Sequence, residues 1–107
     1  MTDKIIVLTT CGSKIEAKQI AKHLIETRMA ACVTILPEAR SVYRWKDKIE
    51  NSQEIPLLIK SRRDLFDALR LEIEKMHSYE VPEVVAVAVV EGAAGYLDWL
   101  NQQLRQA

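Results

Sequence analysis

At 107 residues, with 15 basic and 15 acidic side chains, the chain carries no formal net charge at pH 7, so nothing in its charge steers it to nucleic acid or to an anionic membrane. The length suits one domain, expected over residues 1–107, with a core of its own; 28% charged residues and few Gly or Pro argue against disorder. Cys11 and Cys32 form no C-x-x-C pair, the longest apolar run (Val84 to Val90) is too short for a bilayer and no leader peptide is visible, so a cytoplasmic location with free thiols is expected.

Ile5 to Thr10 reads as a short strand, apolar on both faces as a central, doubly covered strand is. Cys11-Gly12-Ser13 breaks it. Ser13 and Glu16 have capping-box spacing, and the helix that follows places Ala17, Ile20, Ala21, Leu24 and Ile25 on one face. Arg28 falls near its end, where the helix dipole favours a cation. His23, beside Lys22 and Glu26, is expected in solvent.

A long ribbon comes next. Ala31 to Leu36, continued past Pro37 by Ser41 to Trp45, faces a second run from Ile49 to Ile59 across the polar break Lys46-Asp47-Lys48. Its β-branched and aromatic content favours strands, and Asp tolerates the left-handed backbone of a tight turn. A strand of about 16 residues reaches roughly 50 Å, whereas a domain of about 100 residues has a radius of gyration near 13 Å. The arm is therefore expected to overshoot its own domain. Its tip carries Tyr43 and Trp45, two of six aromatic residues. Each ring buries about 150–250 Å², an upper bound of roughly 4–6 kcal/mol, and another subunit is the expected place to bury it. Pro56 lacks a ladder donor and is expected at a bulge or a free edge.

Beyond Lys60, Ser61 and Asp64 offer caps for a second helix in which Phe66, Leu69, Ile73 and Met76 keep helical spacing. It ends near His77, ahead of Pro82. Val84 to Val90 reads as a strand buried on both faces. Gly92 and Gly95 lead into a third helix with Leu97, Leu100 and Leu104 on one stripe. The order β-α-β-β-α-β-α predicts an α+β, ferredoxin-like split βαβ fold: βαββαβ plus a C-terminal helix, with a long hairpin arm between the second and third strands. Right-handed crossovers place both main helices on one face of a four-stranded sheet. The other face is left for the third helix or for neighbouring subunits.

No phosphate loop, G-x-S-x-G, H-E-x-x-H or zinc spacing is present. The polar connection His77-Ser78-Tyr79-Glu80-Val81-Pro82-Glu83, between a helix and a strand, is the kind of loop on which binding residues sit. Together with Val7-Leu8-Thr9-Thr10-Cys11, Ala30-Ala31-Cys32-Val33, Ser41-Val42-Tyr43-Arg44-Trp45 and Gly95-Tyr96-Leu97-Asp98-Trp99-Leu100, in that order and spacing, it resembles the CutA family of divalent-cation tolerance proteins over essentially the whole chain. The resemblance implies a tight homotrimer of ferredoxin-like subunits, similar in architecture to the PII signalling proteins. It implies a link to tolerance of copper and other divalent metals, no established reaction and no required cofactor. Partners are then other copies of the chain and a metal ion or small ligand in clefts between them, with neither nucleic acid nor membrane. Two positions depart from the family pattern. Asp47 stands where Gly is frequent, and the family's proposed copper set, a first-strand Cys and two adjacent His, falls here on Thr9, Met76 and His77.

His77 is thus the candidate metal ligand; its plain alternative is a helix C-terminal residue facing the dipole. Cys11, just before a helix N-terminus, is a candidate reactive thiol or soft-metal ligand, against a small packed thiol. Cys32 and Met76 read as core. Tyr43 and Trp45 are interface anchors or a ring platform for a ligand, Lys60 is an anion-binding or a surface lysine, and Tyr79 and Glu83 complete the candidate ligand site from the loop, against a reading in which Tyr79 and Pro82 only shape that loop. Glu54 and Glu83 suit salt bridges or a hard metal. Against the preferred non-enzymatic metal- or ligand-binding trimer stand three other readings: an enzyme with Cys11 as nucleophile and His77 as base, a trimeric scaffold, and an RNA-recognition module. The central strands lack that module's aromatic signature.

Overall fold

A computed structural model describes all 107 residues, Met1 to Ala107. The chain runs β1 (Lys4–Cys11), α1 (Lys14–Glu26), β2 (Cys32–Ile35), β3 (Ala39–Trp45) and β4 (Lys48–Arg62); a 3-10 turn (Arg63–Leu65) then leads into α2 (Phe66–Met76), β5 (Val85–Ala88) and α3 (Ala94–Gln103). The sheet order is β2-β4-β1-β5 with every neighbour antiparallel, and β3 pairs with β4 alone. This is the ferredoxin-like α+β arrangement expected from the element order. No helix is long and apolar enough to cross a membrane.

Alternation along the two central strands fixes the layers. Ile5, Val7 and Cys11 of β1 and Ile55, Leu57 and Ile59 of β4 are buried in one cluster with Ala17, Ile20 and Leu24 of α1 and Leu69 and Ile73 of α2. Both main helices therefore cover one face. On the opposite face Ile6, Leu8 and Leu58 are only half-buried, so β1 is not covered equally on its two sides. The expected strand over Val84 to Val90 shrinks to Val85–Ala88, and all four of its residues are exposed. It lies at the sheet edge beyond β1, where hydrogen bonding is one-sided and no further layer packs over it in this protomer. Helix α3 does not cover the open face either: Leu100 and Leu104 pack on Leu65 and Ala31 at one corner.

The ribbon is interrupted where sequence reading continues it. β2 ends at Ile35 and β3 starts at Ala39, because Pro37 offers no N–H and restricts the residue before it. Pro56 sits opposite this break. It keeps regular register with Thr10 of β1, so there is no bulge. On its other side its carbonyl accepts from Leu36 N–H at 2.9 Å, and its missing donor falls where β2 has already ended, the free-edge alternative. Beyond the last pairing of β1, Cys11 with Ile55, the arm runs on as a two-stranded ribbon. The molecule measures 45 × 26 × 24 Å. The turn is Lys46-Asp47 alone, both with positive φ (50° and 67°), as a two-residue hairpin of matching twist requires; Lys48 is already in β4.

Local expectations at the helix ends fare unevenly. Ser13 caps α1, its hydroxyl accepting from Glu16 N–H at 3.2 Å, whereas Ser61 and Asp64 do not cap α2. Ser61 Oγ donates to the Met29 carbonyl and Asp64 accepts from Arg62 Nε. Arg28 adopts the left-handed conformation after α1 (φ 59°), with Met29 N–H returning to the Leu24 carbonyl in a Schellman-type end. Its guanidinium serves another helix, donating to the Gln102 and Gln103 carbonyls at the end of α3. His23 is not simply solvated, since its Nε2 lies 2.8 Å from Glu72 Oε1 and ties α1 to α2.

Candidate functional site

Four pieces of chain meet where β1 ends: Thr10 and Cys11, the first turn of α1, the base of the arm and the loop after α2. Gly12 permits the meeting, because a Cβ there would stand 3.3 Å from Tyr79 Oη. Tyr79 Oη donates to Glu54 Oε2 at 2.8 Å, and Thr10 Oγ1 donates to the same oxygen at 3.0 Å. Burial pushes the Glu54 carboxyl up, but hydrogen bonds from Ser41, Tyr79 and Thr10 outweigh it and hold the group below the usual carboxylate range. Burial and the Glu54 carboxylate together drive the Tyr79 phenol far up, so it stays a donor.

Behind this layer lies His77, the C-terminal cap of α2. Its Nε2 lies 2.7 Å from the Thr10 carbonyl, which can only accept, and its Nδ1 accepts from Tyr79 N–H at 3.1 Å. In that network Nε2 is the donor and Nδ1 the acceptor. Glu16 Oε1 sits 3.5 Å from Nδ1 and is buried without a hydrogen-bond partner. Two atoms bearing lone pairs thus face each other with no proton between them. Cys11 completes the group, since one donor atom each from Cys11, Glu16 and His77 lie within 4.8 Å of one another. Cys11 is fully buried, and burial first, then the charges of Glu16 and Glu54, push its thiol up to about 12. A helix N-terminus therefore does not activate this thiol. The thiolate is the reactive form, so the raised value works against Cys11 as a nucleophile.

In front of Glu54 opens a cleft of about 680 Å³. The arm supplies Ser41, Val42, Tyr43 and Trp45; the loop supplies Tyr79, Glu80, Val81 and Glu83; Thr10 and Glu54 close it. Of the residues singled out from sequence, Tyr43, Trp45, Tyr79 and Glu83 line this one cleft. Cys11 and His77 lie together behind it, joined to it through Thr10. Lys60 is elsewhere: its Nζ is 3.4 Å from Thr34 Oγ1 and 3.8 Å from Cys32 Sγ, across the β2–β4 ladder. Cys32 is only half-buried beside it. Glu54 forms neither a salt bridge nor part of a metal group. Sequence reading gave no site role to Thr10, Glu16, Ser41 and Val42, and it reached Glu80 and Val81 only as members of the candidate loop. An acid at position 54 and another at 16 were the available signals, but Glu54 meets Thr10 only through the register of β1 with β4, and Glu16 meets His77 only through the docking of the α2 end.

A ferredoxin-like domain with a hairpin arm, a cleft at the arm's base and a Cys–Glu–His group behind it defines the class of protein. The sequence profile of the CutA1 divalent ion tolerance protein family matches residues 5–103. The divalent-cation tolerance protein CutA of Pectobacterium atrosepticum is 41% identical over 105 residues, covering 98% of this chain and 96% of that one. Among solved structures, the divalent cation tolerance protein of Thermus thermophilus superposes with a TM-score of 0.93 at 41% identity, covering 95% and 99% of the two chains. CutA1 from Oryza sativa gives 0.95 at 38%, covering 97% and 95%. The chain belongs to the CutA1 family of divalent-cation tolerance proteins.

Proposed function

We propose that the protein is a non-enzymatic homotrimer that serves metal tolerance by holding a metal ion, copper foremost, at Cys11, Glu16 and His77. The observation that carries this reading is the unpartnered, buried Glu16 Oε1 facing His77 Nδ1, with Cys11 Sγ in the same group. One sulfur, one nitrogen and one oxygen donor suit a soft or borderline ion. The sulfur that the family's proposed copper set places at Thr9 is found two residues on, and Thr9 and Cys11 share the helix-facing side of β1 by alternation. Met76 packs against the core and supplies no second imidazole; Glu16 takes that place. A bound metal would supply positive charge among carboxylates and deprotonate the Cys11 thiol outright, so uptake releases protons and weakens as pH falls.

The trimer reading is supported by the open, apolar sheet face and by an arm whose Val42 and Ile49 are 65% and 70% exposed. Titration with Cu(I), Cu(II) and Zn(II) tests the metal site. His77→Ala and Glu16→Gln are each expected to weaken binding at least about tenfold, on the scale of other changes around metal ligands. Unchanged affinity in both variants removes the site.

A further inference from the structure

We propose that the cleft between the arm and the Tyr79–Glu83 loop binds a small organic cation, an ammonium or guanidinium compound, through the buried carboxylate of Glu54 and the rings of Tyr43 and Trp45. Glu54 is only 6% exposed, and no Lys, Arg or His side chain lies within ion-pair distance of it. Buried charges are ordinarily paired, because leaving water without a counter-charge costs several kcal/mol. Here hydroxyls of Ser41, Tyr79 and Thr10 do most to keep the carboxylate ionised, and His77, the one side chain whose positive charge acts on it, stays beyond ion-pair distance behind Thr10. The counter-charge is left to whatever enters the cleft.

The rest of the lining agrees. Glu80 and Glu83 are its other charged residues, and no Lys or Arg is among them, which disfavours an anion such as a nucleotide. A bare metal ion fits poorly as well. The carboxylates of Glu54, Glu80 and Glu83 do not converge into a donor group as Cys11, Glu16 and His77 do. At about 680 Å³ the space is that of small-molecule sites, which run from about 300 to 1,000 Å³. Aromatic faces attract cations, and Trp45 already has one near it, the Lys46 ammonium 5.7 Å from the ring centroid. The inference stands apart from the metal reading, since it uses none of that site's donor atoms.

Agmatine, which carries both a guanidinium and an ammonium group, is a suitable probe, with glutarate as a dianion of similar length. Trp45 emission is read in a Trp99→Phe background, because the chain has two tryptophans, and calorimetry on the unsubstituted protein provides a second readout. Saturable binding of agmatine at millimolar concentration or below is expected, with none by glutarate. Glu54→Gln is expected to weaken it at least about tenfold, and the rim variant Glu83→Gln by a smaller factor. The rim variant keeps the test open if Glu54→Gln fails to fold. The Zn(II) affinity of Glu83→Gln, at a residue outside the metal group, is expected to stay within about twofold of the parent, so the two sites fail separately. Absence of agmatine binding, equal binding of glutarate, or affinity unchanged in both Glu54→Gln and Glu83→Gln overturns the proposal. So does a Glu54→Gln protein that loses oligomeric mass while the parent ignores agmatine, since the counter-charge is then a side chain of a second copy.

Discussion

Thr10 turns its backbone and its side chain to different purposes. Its carbonyl accepts from His77 Nε2–H, and its hydroxyl donates to Glu54. The folded Glu54 carboxyl lies below its usual range, so the stability it contributes is full above the unfolded carboxyl pKa of about 4.3 and is lost as pH falls through the lower folded value. Urea unfolding at pH 7 and pH 3 is therefore expected to show a smaller drop in Glu54→Gln than in the parent. Cys11 has the opposite sign. Its thiol is raised from 9.0 to about 12 in the folded chain, so the folded state holds the proton longer, and stability declines as pH rises past about 9. The slope is at most about 1.4 kcal/mol per pH unit from this group. Cys11→Ala flattens that alkaline limb while leaving a small cavity. In the native protein at pH 7, iodoacetamide is expected to label half-buried Cys32 well ahead of Cys11; Cys11 reacting as fast as a free thiol contradicts its burial.

Among the elements, the arm's turn and the helix layer differ in how well residue type suits backbone. Lys46 and Asp47 both occupy left-handed backbone, which costs a non-glycine residue roughly 1–2 kcal/mol, less for Asp. Asp47→Gly is expected to stabilise the protein by about 0.5–1 kcal/mol, read as a raised urea midpoint with an unchanged slope. Arg28 is strained in the same way, but its guanidinium caps the carbonyls of α3, so glycine there is expected to yield little net gain. The helix layer has no such slack. Ile73 is fully buried between α2 and the sheet, and Ile73→Ala is expected to cost about 2–5 kcal/mol.

Taken whole, the chain leaves apolar surface uncovered along the edge strand with its sheet face and along the arm, among other places. Val85 and Val87 are about half exposed. Tyr43 and Trp45 do not stand clear of the body, because they look across the cleft to the loop after α2. The arm therefore serves its own cleft, yet Val42 at the cleft wall and Ile49 stay largely exposed. If those two side chains are buried by neighbouring copies, Ile49→Asp leaves the far-ultraviolet circular dichroism unchanged. It also lowers the light-scattering mass from that of three chains to that of one, 12.2 kDa. A parent protein that already scatters as a folded 12.2 kDa monomer removes the trimer altogether.

Hydrophobic period and turn residues are local, and they were enough for the kinds of element and their order, the arm, and the helix stripes that carry Leu69, Ile73 and Leu100, but not for the break at Pro37 that divides the ribbon strand in two or for the choice between bulge and free edge at Pro56. The five short motifs sufficed for the family. Distance was not legible. That Cys11, Glu16 and His77 come together, that Lys60 lies apart from them and that Glu54 stands unpaired in front of a cleft follow from the pairing of β1 with β4 and the docking of the α2 end on Thr10. Burial likewise escaped the pattern at Val84 to Val90, since an apolar run states what a strand prefers to touch. Whether a neighbour exists to touch it depends on where the strand falls in the sheet, which no short stretch of residues encodes.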